Sequence, residues 1–425
     1  MRTRVLGVLF TVTALVGAGV AYQVTAASAE ELAAAAAPVE LPNPGQLGLR
    51  PDFTSLARGL NALADADSSA LRPVTVATVV DSANRTGRPR ASCRREVTGI
   101  VASFCWESGP GEDDGDTKAW YPQGVTSTAD AAAGGSYAGR QALVVSWYDR
   151  AADRVAKGVR LSFTDWSRPE RPRYRHVLLV EPATSTVQGR TVGDFRALGR
   201  VRADGKEENV HAGGVFWFGH LVYVADTYAG VRVFDTRRIY RVDRTADRNR
   251  IGRFTATDGS TRYAAFGYEY VMPQVGGYAP SGRFRYSFLG LDRTVKPPAM
   301  VAGEYHQNDP GRLARWQLDS GSDRLVTAAD GVARAVRLYD TGVRQLQGAV
   351  SLHGRYYLAT SNGRDPGCLR SWTPGQNQVR ATKWALGAEA LSYWPGSRQL
   401  WSLTEKPGKR TVFAVSEPKI RASAC

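Results

Sequence analysis

The sequence predicts an all-β protein, a β-propeller of about seven four-stranded blades whose ring is closed by N- and C-terminal strands. Three observations support this fold class. Short runs rich in Val, Tyr, Phe and Trp alternate with Gly, Asp, Asn and Pro, which is the pattern of strands and turns. Similar multi-strand units recur along the chain. Helix signals almost vanish after one short amphipathic stretch, Thr54–Ala64.

Four units share a small-residue strand followed by an apolar hairpin partner, and three of them carry a readable third strand. Their first strands contain Gly124, Gly214, Gly348 and Glu389. The separations are 90, 134 and 41 residues, close to two, three and one repeats of about 45, the length of a four-stranded blade. These multiples predict weaker blades starting near positions 169, 259 and 303, hence about seven blades, with six or eight left open.

A radial arrangement follows because a single blade cannot bury both of its faces. The run Val97–Trp106 is predicted to complete the blade that Thr411–Val415 begins, which closes the ring. Two all-β domains in tandem are the alternative. No Pro- or Ser-rich linker interrupts the middle of the sequence, which favours the propeller.

The N-terminal region predicts an export signal. Arg2 and Arg4 precede the apolar run Val5–Val20, and Ala27-Ser28-Ala29 offers small residues for cleavage after Ala29. An uncleaved anchor is the alternative, but the run is short for a spanning helix of about 20 residues. The mature protein is therefore expected to be secreted and to lack a membrane span.

The predicted domain organisation has three parts. Residues 1–29 form the signal peptide, 30–91 a partly disordered leader with one short helix, and 92–425 the propeller domain. The leader prediction rests on its Ala- and Pro-rich start.

Four cysteines, Cys93, Cys105, Cys368 and Cys425, form an even set, and an extracellular compartment favours disulfides. Three pairings are open, of which Cys93–Cys105 with Cys368–Cys425 is the simplest. The sequence contains no CxxC motif, and no His stands at ligand spacing beside a Cys. A cysteine-bound metal is therefore not expected.

The net charge of +15 comes mostly from Arg residues scattered along the chain and interleaved with Asp. No run of five basic residues occurs, so a nucleic-acid partner is not expected. The acidic run Glu112–Asp116 resembles a Ca²⁺ loop in composition but lacks the twelve-residue pattern and its closing Glu. No cofactor is expected, with Ca²⁺ at this loop as the minor alternative, and the protein is expected to be a monomer.

Polar residues at the starts of inner strands line the channel of a propeller. This rule makes Gln123, His211, Gln347 and Glu389 candidate channel residues, and Asp226, at the end of a hairpin partner, joins them. The competing interpretation is that such residues only contact channel water. HExxH and GxSxG motifs are absent from the sequence, so no catalytic residue is assigned.

Three stretches carry a family resemblance: HAGGVFWFGHLVYVADTYAGVRVFDT from His211, LQGAVSLHGRYYLATSNG from Leu346, and EALSYWPGSRQLWSLTEKPGKRTVFAV from Glu389. They resemble secreted actinobacterial seven-bladed β-propeller proteins. The resemblance implies a non-enzymatic extracellular protein that binds a protease and donates glutamines to a transglutaminase. By local composition, the accessible glutamines are Gln46, Gln376 and Gln378.

The leading functional prediction is therefore a secreted, non-catalytic binding protein whose partner is an extracellular protein, a protease or a transglutaminase. The alternative is a propeller hydrolase or lyase with a central-channel site that uses His211, Glu389 and Asp226. A third hypothesis, a binder of sugars or acidic wall polymers, rests on the basic charge and the abundant Trp residues.

Overall fold

The computed structural model describes residues 37–93, 97–109, 113–150, 156–201 and 207–425, without the side chains of residues 200, 201, 207 and 208. The predicted signal peptide lies outside the described residues. The helices are α1 (Ala57–Ala64), α2 (Val76–Asp81) and α3 (Thr128–Ala131). The strands are β1 (Val39–Glu40), β2 (Gly48–Asp52), β3 (Arg72–Val74), β4 (Arg85–Thr86), β5 (Arg88–Pro89), β6 (Ile100–Cys105), β7 (Trp120–Ser127), β8 (Ala142–Asp149), β9 (Val159–Asp165), β10 (Arg173–Val187), β11 (Arg190–Ala197), β12 (Gly199–Val201), β13 (Glu207–Asn209), β14 (Val215–Phe218), β15 (Leu221–Asp226), β16 (Gly230–Asp235), β17 (Ile239–Arg241), β18 (Ile251–Thr255), β19 (Thr261–Ala265), β20 (Tyr270–Pro280), β21 (Phe288–Asp292), β22 (Ala299–Gly303), β23 (Arg312–Asp319), β24 (Arg324–Leu325), β25 (Ala333–Arg334), β26 (Arg337–Asp340), β27 (Leu346–Leu352), β28 (Arg355–Asn362), β29 (Asp365–Trp372), β30 (Val379–Lys383), β31 (Ser392–Trp394), β32 (Gln399–Leu403) and β33 (Thr411–Ser416).

Five antiparallel four-stranded units form the body of the described structure, which confirms the all-β propeller prediction. In each unit, consecutive strands pair from an inner to an outer position. Blade 1 is β7–β10, blade 2 is β14–β16 with β20, blade 3 is β21–β23 with β26, blade 4 is β27–β30, and blade 5 is β31–β33 with β6.

The inner strands meet in a closed circle because small residues let their backbones approach. A Cβ added to Gly124 would lie 2.6 Å from the backbone nitrogen of Val215, and one on Gly214 would lie 2.1 Å from that of Leu289. Gly290 lies as close to Ala349, and Gly348 to Ala390. The backbone nitrogen of Ala390 donates to the oxygen of Gln123 at 3.3 Å, which returns the circle from blade 5 to blade 1.

The number of blades in the described chain is five, not the predicted seven or so. The repeat is longer than expected because hairpins are inserted at the outer edges. The 15-residue strand β10 extends beyond blade 1 to pair with β11, and the β18–β19 hairpin precedes the outer strand of blade 2. The blade predicted near position 169 is the outer strand of blade 1, the one near 259 is this second insertion, and the one near 303 is the second strand of blade 3.

Ring closure by the two ends of the chain is confirmed. Strand β6 pairs antiparallel with β33, with Phe104 opposite Val412. One disulfide joins Cys93 to Cys105 within this closing segment, and the second joins Cys368 in blade 4 to the last residue, Cys425. Both bridges match the simplest predicted pairing.

Residues 37–91 differ from the predicted partly disordered leader. Strand β1 extends blade 3 by pairing with β26, and β2 pairs with β20 of blade 2. Helix α1 buries Leu60 and Leu63, as the spacing of its leucines predicts. Its Gly59 packs against the backbone of Pro182 in β10, so the segment contacts the outer strands of three blades.

Tryptophans pack between the sheets, as expected for a propeller core. Six have side chains that are almost wholly buried: Trp106, Trp147, Trp217, Trp316, Trp384 and Trp401. In the part of the chain that the structure describes, every helix is too short or too polar to span a bilayer.

Candidate functional site

One face of the ring gathers polar side chains from several blades. On this face the inner strands begin and the second strands end. We define the channel mouth as eight side chains there: Gln123, Tyr148, Arg150, His211, Arg285, Tyr305, Glu389 and Glu405. They are distant in sequence; Gln123 and Glu405, for example, are 282 residues apart yet hydrogen-bonded.

Two carboxyl groups of blade 5 form the centre of the channel mouth. Glu389 precedes the inner strand and is only 2% exposed. Its burial, together with the nearby charge of Glu405, raises its pKa well above the ordinary value. Burial also raises the pKa of Glu405, but the amide of Gln123 donates to its Oε2 at 3.1 Å and opposes that shift. The pair therefore favours one protonated and one ionised carboxyl group.

An aromatic pair forms the blade 1 and blade 2 side of the channel mouth. The rings of Tyr148 and His211 lie with centroids 4.4 Å apart and planes inclined by 37°. His211 is open to solvent at one edge but otherwise surrounded by protein. This burial, with the charges of Arg150 and Arg285, lowers its pKa to about 4. The imidazole is therefore neutral at neutral pH.

Two guanidinium groups, those of Arg150 and Arg285, lie near His211 and lower its pKa. Arg150 lies over the ring of Tyr121, with 5.0 Å between its Cζ and the ring centroid. Arg285 lies 5.3 Å from the ring centroid of Tyr228. Within the described residues, neither arginine forms an ion pair. The channel mouth thus combines the buried acid Glu389 with two cations, of which Arg150 interacts electrostatically with Glu405 and Arg285 forms no ion pair within the described residues.

Three of the five predicted channel residues, Gln123, His211 and Glu389, meet at the channel mouth. Gln347 lies on the inner strand of blade 4, where its amide donates to Ser361 at 3.3 Å. The carboxylate of Asp226 is occupied by a neighbouring side chain, because it forms an ion pair with the Nε of Arg232 at 2.9 Å. The binding roles proposed for these residues stay predictions.

Sequence reasoning missed Glu405, Tyr148, Arg150, Arg285 and Tyr305. All five lie immediately before an inner strand or at the end of a second strand. The repeat units supply a signal for them, because these are the positions where successive blades present side chains to one face.

A buried Ser–His–Asp chain in blade 1 also escaped the sequence analysis. The hydroxyl of Ser162 lies 2.8 Å from His176 Nδ1, and Nε2 lies 3.1 Å from a carboxylate oxygen of Asp114. Burial and the charge of Arg160 lower the pKa of His176 to about 3. Ser162 is wholly buried, so it is closed to a substrate. The chain therefore holds the fold together rather than forming a nucleophilic site.

In the acidic run predicted as a minor Ca²⁺ site, Asp114 is buried and paired with side chains of the protein itself. Burial raises the pKa of this carboxyl, but His176 and the guanidinium groups of Arg160 and Arg85 outweigh burial and hold the pKa well below its usual range. Within the described residues, no group of three or more His, Cys, Asp or Glu side chains is placed to hold a metal ion. Glu112 lies outside those residues, and the Ca²⁺ hypothesis stays untested.

The glutamines predicted for cross-linking are accessible. Gln46 ends a 3-10 turn over Pro44–Gln46, and Gln376 and Gln378 lie in the loop between β29 and β30. All three side chains are exposed. Exposure alone does not assign them a reaction.

A groove of about 1080 Å³ lies on another part of the surface, between Pro51, Tyr278, Pro298 and Arg324. Among the described residues that line it, Asp319 is the only acidic side chain. It lacks the paired carboxyl groups of the channel mouth, so the arrangement of titratable groups favours the mouth as the candidate site.

The fold defines the chain as a β-propeller protein. No family model and no curated protein matches its sequence. Among solved structures it is similar to the GH43_1 enzyme from Xanthomonas citri complexed with xylose, with 12% identity, a TM-score of 0.32, and coverage of 71% of this chain and 91% of that one. A second structure of the GH43_1 enzyme from Xanthomonas citri gives 11% identity, a TM-score of 0.31, and coverage of 70% and 88%.

These findings correct the leading functional prediction. The solved structures that the chain matches are enzymes, and the comparisons lend no support to protease binding or glutamine donation. No similarity to the dispase autolysis-inducing protein, the member of the seven-bladed group that the sequence suggested, is shown. The prediction of a non-catalytic binding protein that acts on a protease is therefore wrong.

Proposed function

We propose that the protein is a secreted hydrolase that cleaves glycosidic bonds at the channel mouth, with Glu389 as general acid and Glu405 as base. The observation that carries the proposal is the interacting carboxyl pair, in which burial favours the protonated form of Glu389. Glycoside hydrolysis requires two such groups, one protonated and one ionised, on either side of the scissile bond.

The proton inventory of the reaction balances. Glu389 gives its proton to the glycosidic oxygen as the bond from that oxygen to the anomeric carbon breaks. A water oxygen bonds to the anomeric carbon, and its proton passes to Glu405. Gln123 supports the ionised form of Glu405 through the 3.1 Å hydrogen bond. After product release, Glu405 gives its proton to solvent and Glu389 takes one up from solvent, which restores both groups.

The surrounding side chains position the substrate. The neighbouring rings of Tyr148 and His211, tilted by 37° to each other, offer aromatic surface for the apolar face of a sugar. Tyr305 lies near the carboxyl pair, because burial and the charges of Glu389 and Glu405 all raise its pKa. A neutral His211 leaves proton transfer to the carboxyl groups at neutral pH.

The extracellular location is part of the proposal. Two disulfides fit an oxidising compartment, and the N-terminal sequence has the order of an export signal. Export is tested by expressing the full chain with a C-terminal tag and sequencing the N-terminus of the secreted product. We expect a start at Glu30; tagged protein that stays with the cells contradicts export.

The activity test is turnover of a panel of aryl glycosides and oligosaccharides by the mature protein. We expect hydrolysis of at least one member and a loss of at least a hundredfold in Glu405→Gln, since general acid–base groups contribute factors of this order. Glu181→Gln is the matched control, because Glu181 lies on β10 and pairs with Arg196.

Three outcomes contradict the proposal. One is no turnover on any member of the panel. The second is equal activity in Glu405→Gln and in the wild-type protein. The third is an unsaturated, ultraviolet-absorbing product, which indicates elimination by a lyase instead of hydrolysis.

A further inference from the structure

The cations of the channel mouth continue into a groove at its edge. This edge groove, about 550 Å³, lies between blades 2 and 3 and includes Tyr228, Arg283, Arg285, Glu304, His306 and Arg312. Arg285 belongs to both the channel mouth and the edge groove, so the two spaces are adjoining parts of one surface.

The acidic side chains of the edge groove do not neutralise Arg285. Glu304 is occupied by Arg312, whose Nε and Nη2 reach its two carboxylate oxygens at 2.7 and 2.9 Å. It also accepts from the backbone nitrogen, not the side chain, of Arg285 at 3.0 Å. Asp340, at the far edge, accepts from the backbone nitrogen of Gly342.

Arg285 is held in place by an aromatic side chain instead of an anion. Its Nη2 donates to the hydroxyl of Tyr228 at 3.3 Å, and its guanidinium lies over that ring. Tyr228 is 56% exposed, and it is the only aromatic side chain among the exposed large hydrophobic residues that the structure describes. An exposed ring beside a preoriented guanidinium offers stacking to a sugar ring and a two-pronged contact to a carboxylate.

Arg150 brings a second cation to the same place. Both Arg150 and Arg285 lower the pKa of His211, so both guanidinium groups lie near one imidazole. Arg150 also interacts electrostatically with Glu405, whereas Arg285 forms no ion pair within the described residues, and an anion bound near both groups is attracted by both charges.

We propose that the substrate is a uronate-bearing glycan whose carboxylate binds between Arg285 and Arg150, with the adjoining sugar on Tyr228. This inference rests on the proposed function for the position of the scissile bond. The binding step itself needs only the edge groove and the two guanidinium groups, and it can be measured without turnover.

The test is affinity electrophoresis of the mature Glu389→Gln protein in gels containing polygalacturonate, alginate or glucuronoxylan, each against its methyl-esterified form, at 0.15 M salt. Esterification removes the charge and keeps the backbone. We expect at least one acidic polymer to bind at least tenfold more tightly than its ester. Equal retention by every acid and ester pair, or no retention at all, overturns the proposal.

Variants locate the binding site. Arg285→Gln and Arg150→Gln are each expected to weaken binding about tenfold, and Arg285→Lys by less, because it keeps the charge but loses the planar fork. Arg244→Gln is the control, since exposed Arg244 lies near Arg175 on the outer strand of blade 1. A loss in Arg244→Gln equal to that in Arg285→Gln shows a nonspecific charge effect and contradicts the proposal.

The two proposals fail separately. Tight binding of a uronate polymer by a wild-type protein that hydrolyses nothing supports the anion site and rejects the hydrolase. Hydrolysis of neutral glycans that is unchanged in Arg285→Gln and Arg150→Gln supports the hydrolase and rejects the anion site. Thermal melts identify any variant that has not folded, and Arg285→Lys then decides the role of that position.

Discussion

The two ends of the central channel use buried carboxyl groups in opposite ways. At the end away from the channel mouth, Asp130 accepts hydrogen bonds from Thr126 at 2.6 Å and from Ser392 at 2.8 Å. Ser392 belongs to blade 5 and Asp130 follows the inner strand of blade 1, so this contact joins the first blade to the last.

Asp292 has the same function between blades 3 and 4. Its carboxylate pairs with Nη2 of Arg315 at 3.0 Å and accepts from Ser351, a residue of the next inner strand. At the channel mouth, by contrast, Glu389, Arg150 and Arg285 form no ion pair within the described residues, although Glu405 interacts electrostatically with Arg150. Satisfied carboxyl groups hold the ring closed, and unsatisfied ones remain available for a substrate.

The first prediction separates activity from stability at the channel mouth. Glu389→Gln is expected to lower turnover about a thousandfold, within the range for general acids. The free energy of unfolding of this variant at neutral pH is expected to equal or exceed that of the wild-type protein. Because the native pKa of Glu389 is raised, the native state binds more protons than the unfolded state just above pH 4.5, and wild-type stability falls as the pH rises. Denaturant titrations at several pH values check this, and a large loss of stability in the variant contradicts it.

The second prediction tests the ion pair of Asp292 with Arg315 at the opposite end of the channel. Asp292→Asn leaves the guanidinium of Arg315, which is 13% exposed, without its counter-charge. We expect a loss of about 4 kcal/mol in the free energy of unfolding, typical of removing one partner from a buried pair. Asp365→Asn, at an exposed position, should change stability by less than about 0.5 kcal/mol. Equal effects of the two substitutions in urea unfolding contradict the structural role.

The third prediction concerns the pH dependence of stability at Asp130. Burial raises its pKa from 3.8 to about 6, so the native state holds a proton that the unfolded state releases. Stability from this group is complete below pH 3.8 and falls as the pH rises to about 6, by about 3 kcal/mol in total. Asp130→Asn should remove this slope in urea titrations between pH 4 and 6, and an unchanged slope contradicts the assignment.

The fourth and smallest effect is expected from Ser392→Ala. Loss of its hydrogen bond to Asp130 should lower the free energy of unfolding by about 1 kcal/mol. Since that bond lowers the pKa of Asp130, its loss should move the pH window upward. Ser397→Ala, in the exposed turn Pro395–Ser397, is the control. A window that stays in place in Ser392→Ala shows that the bond does not stabilise the ionised form.

Much of the fold could be predicted because close packing at the axis requires small residues, and these recur in the sequence. Gly124, Gly214 and Gly348 lie on three inner strands, and each meets the backbone of the next blade too closely for a side chain. Gly290 meets the same requirement but was not assigned to a unit. The blade count was wrong because hairpins such as β18–β19 lengthen the repeat without changing the axis.

The channel mouth was predicted only in part, for a physical reason. Polar residues at the starts of small-residue strands, such as His211 and Glu389, stand out against their neighbours. Arg150 and Arg285 do not, since the chain has 55 Lys and Arg residues and nothing local distinguishes these two. Glu405 becomes informative only after ring closure brings blade 5 beside Gln123.

The most direct test of the account is a pH titration of the carboxyl carbons by NMR in the mature protein labelled with ¹³C-glutamate. We expect two signals to titrate in coupled steps above the ordinary glutamate value of 4.5, one lost in Glu389→Gln and the other in Glu405→Gln. If instead every glutamate signal titrates near 4.5, the channel mouth holds no protonated acid at neutral pH and the proposed chemistry is contradicted.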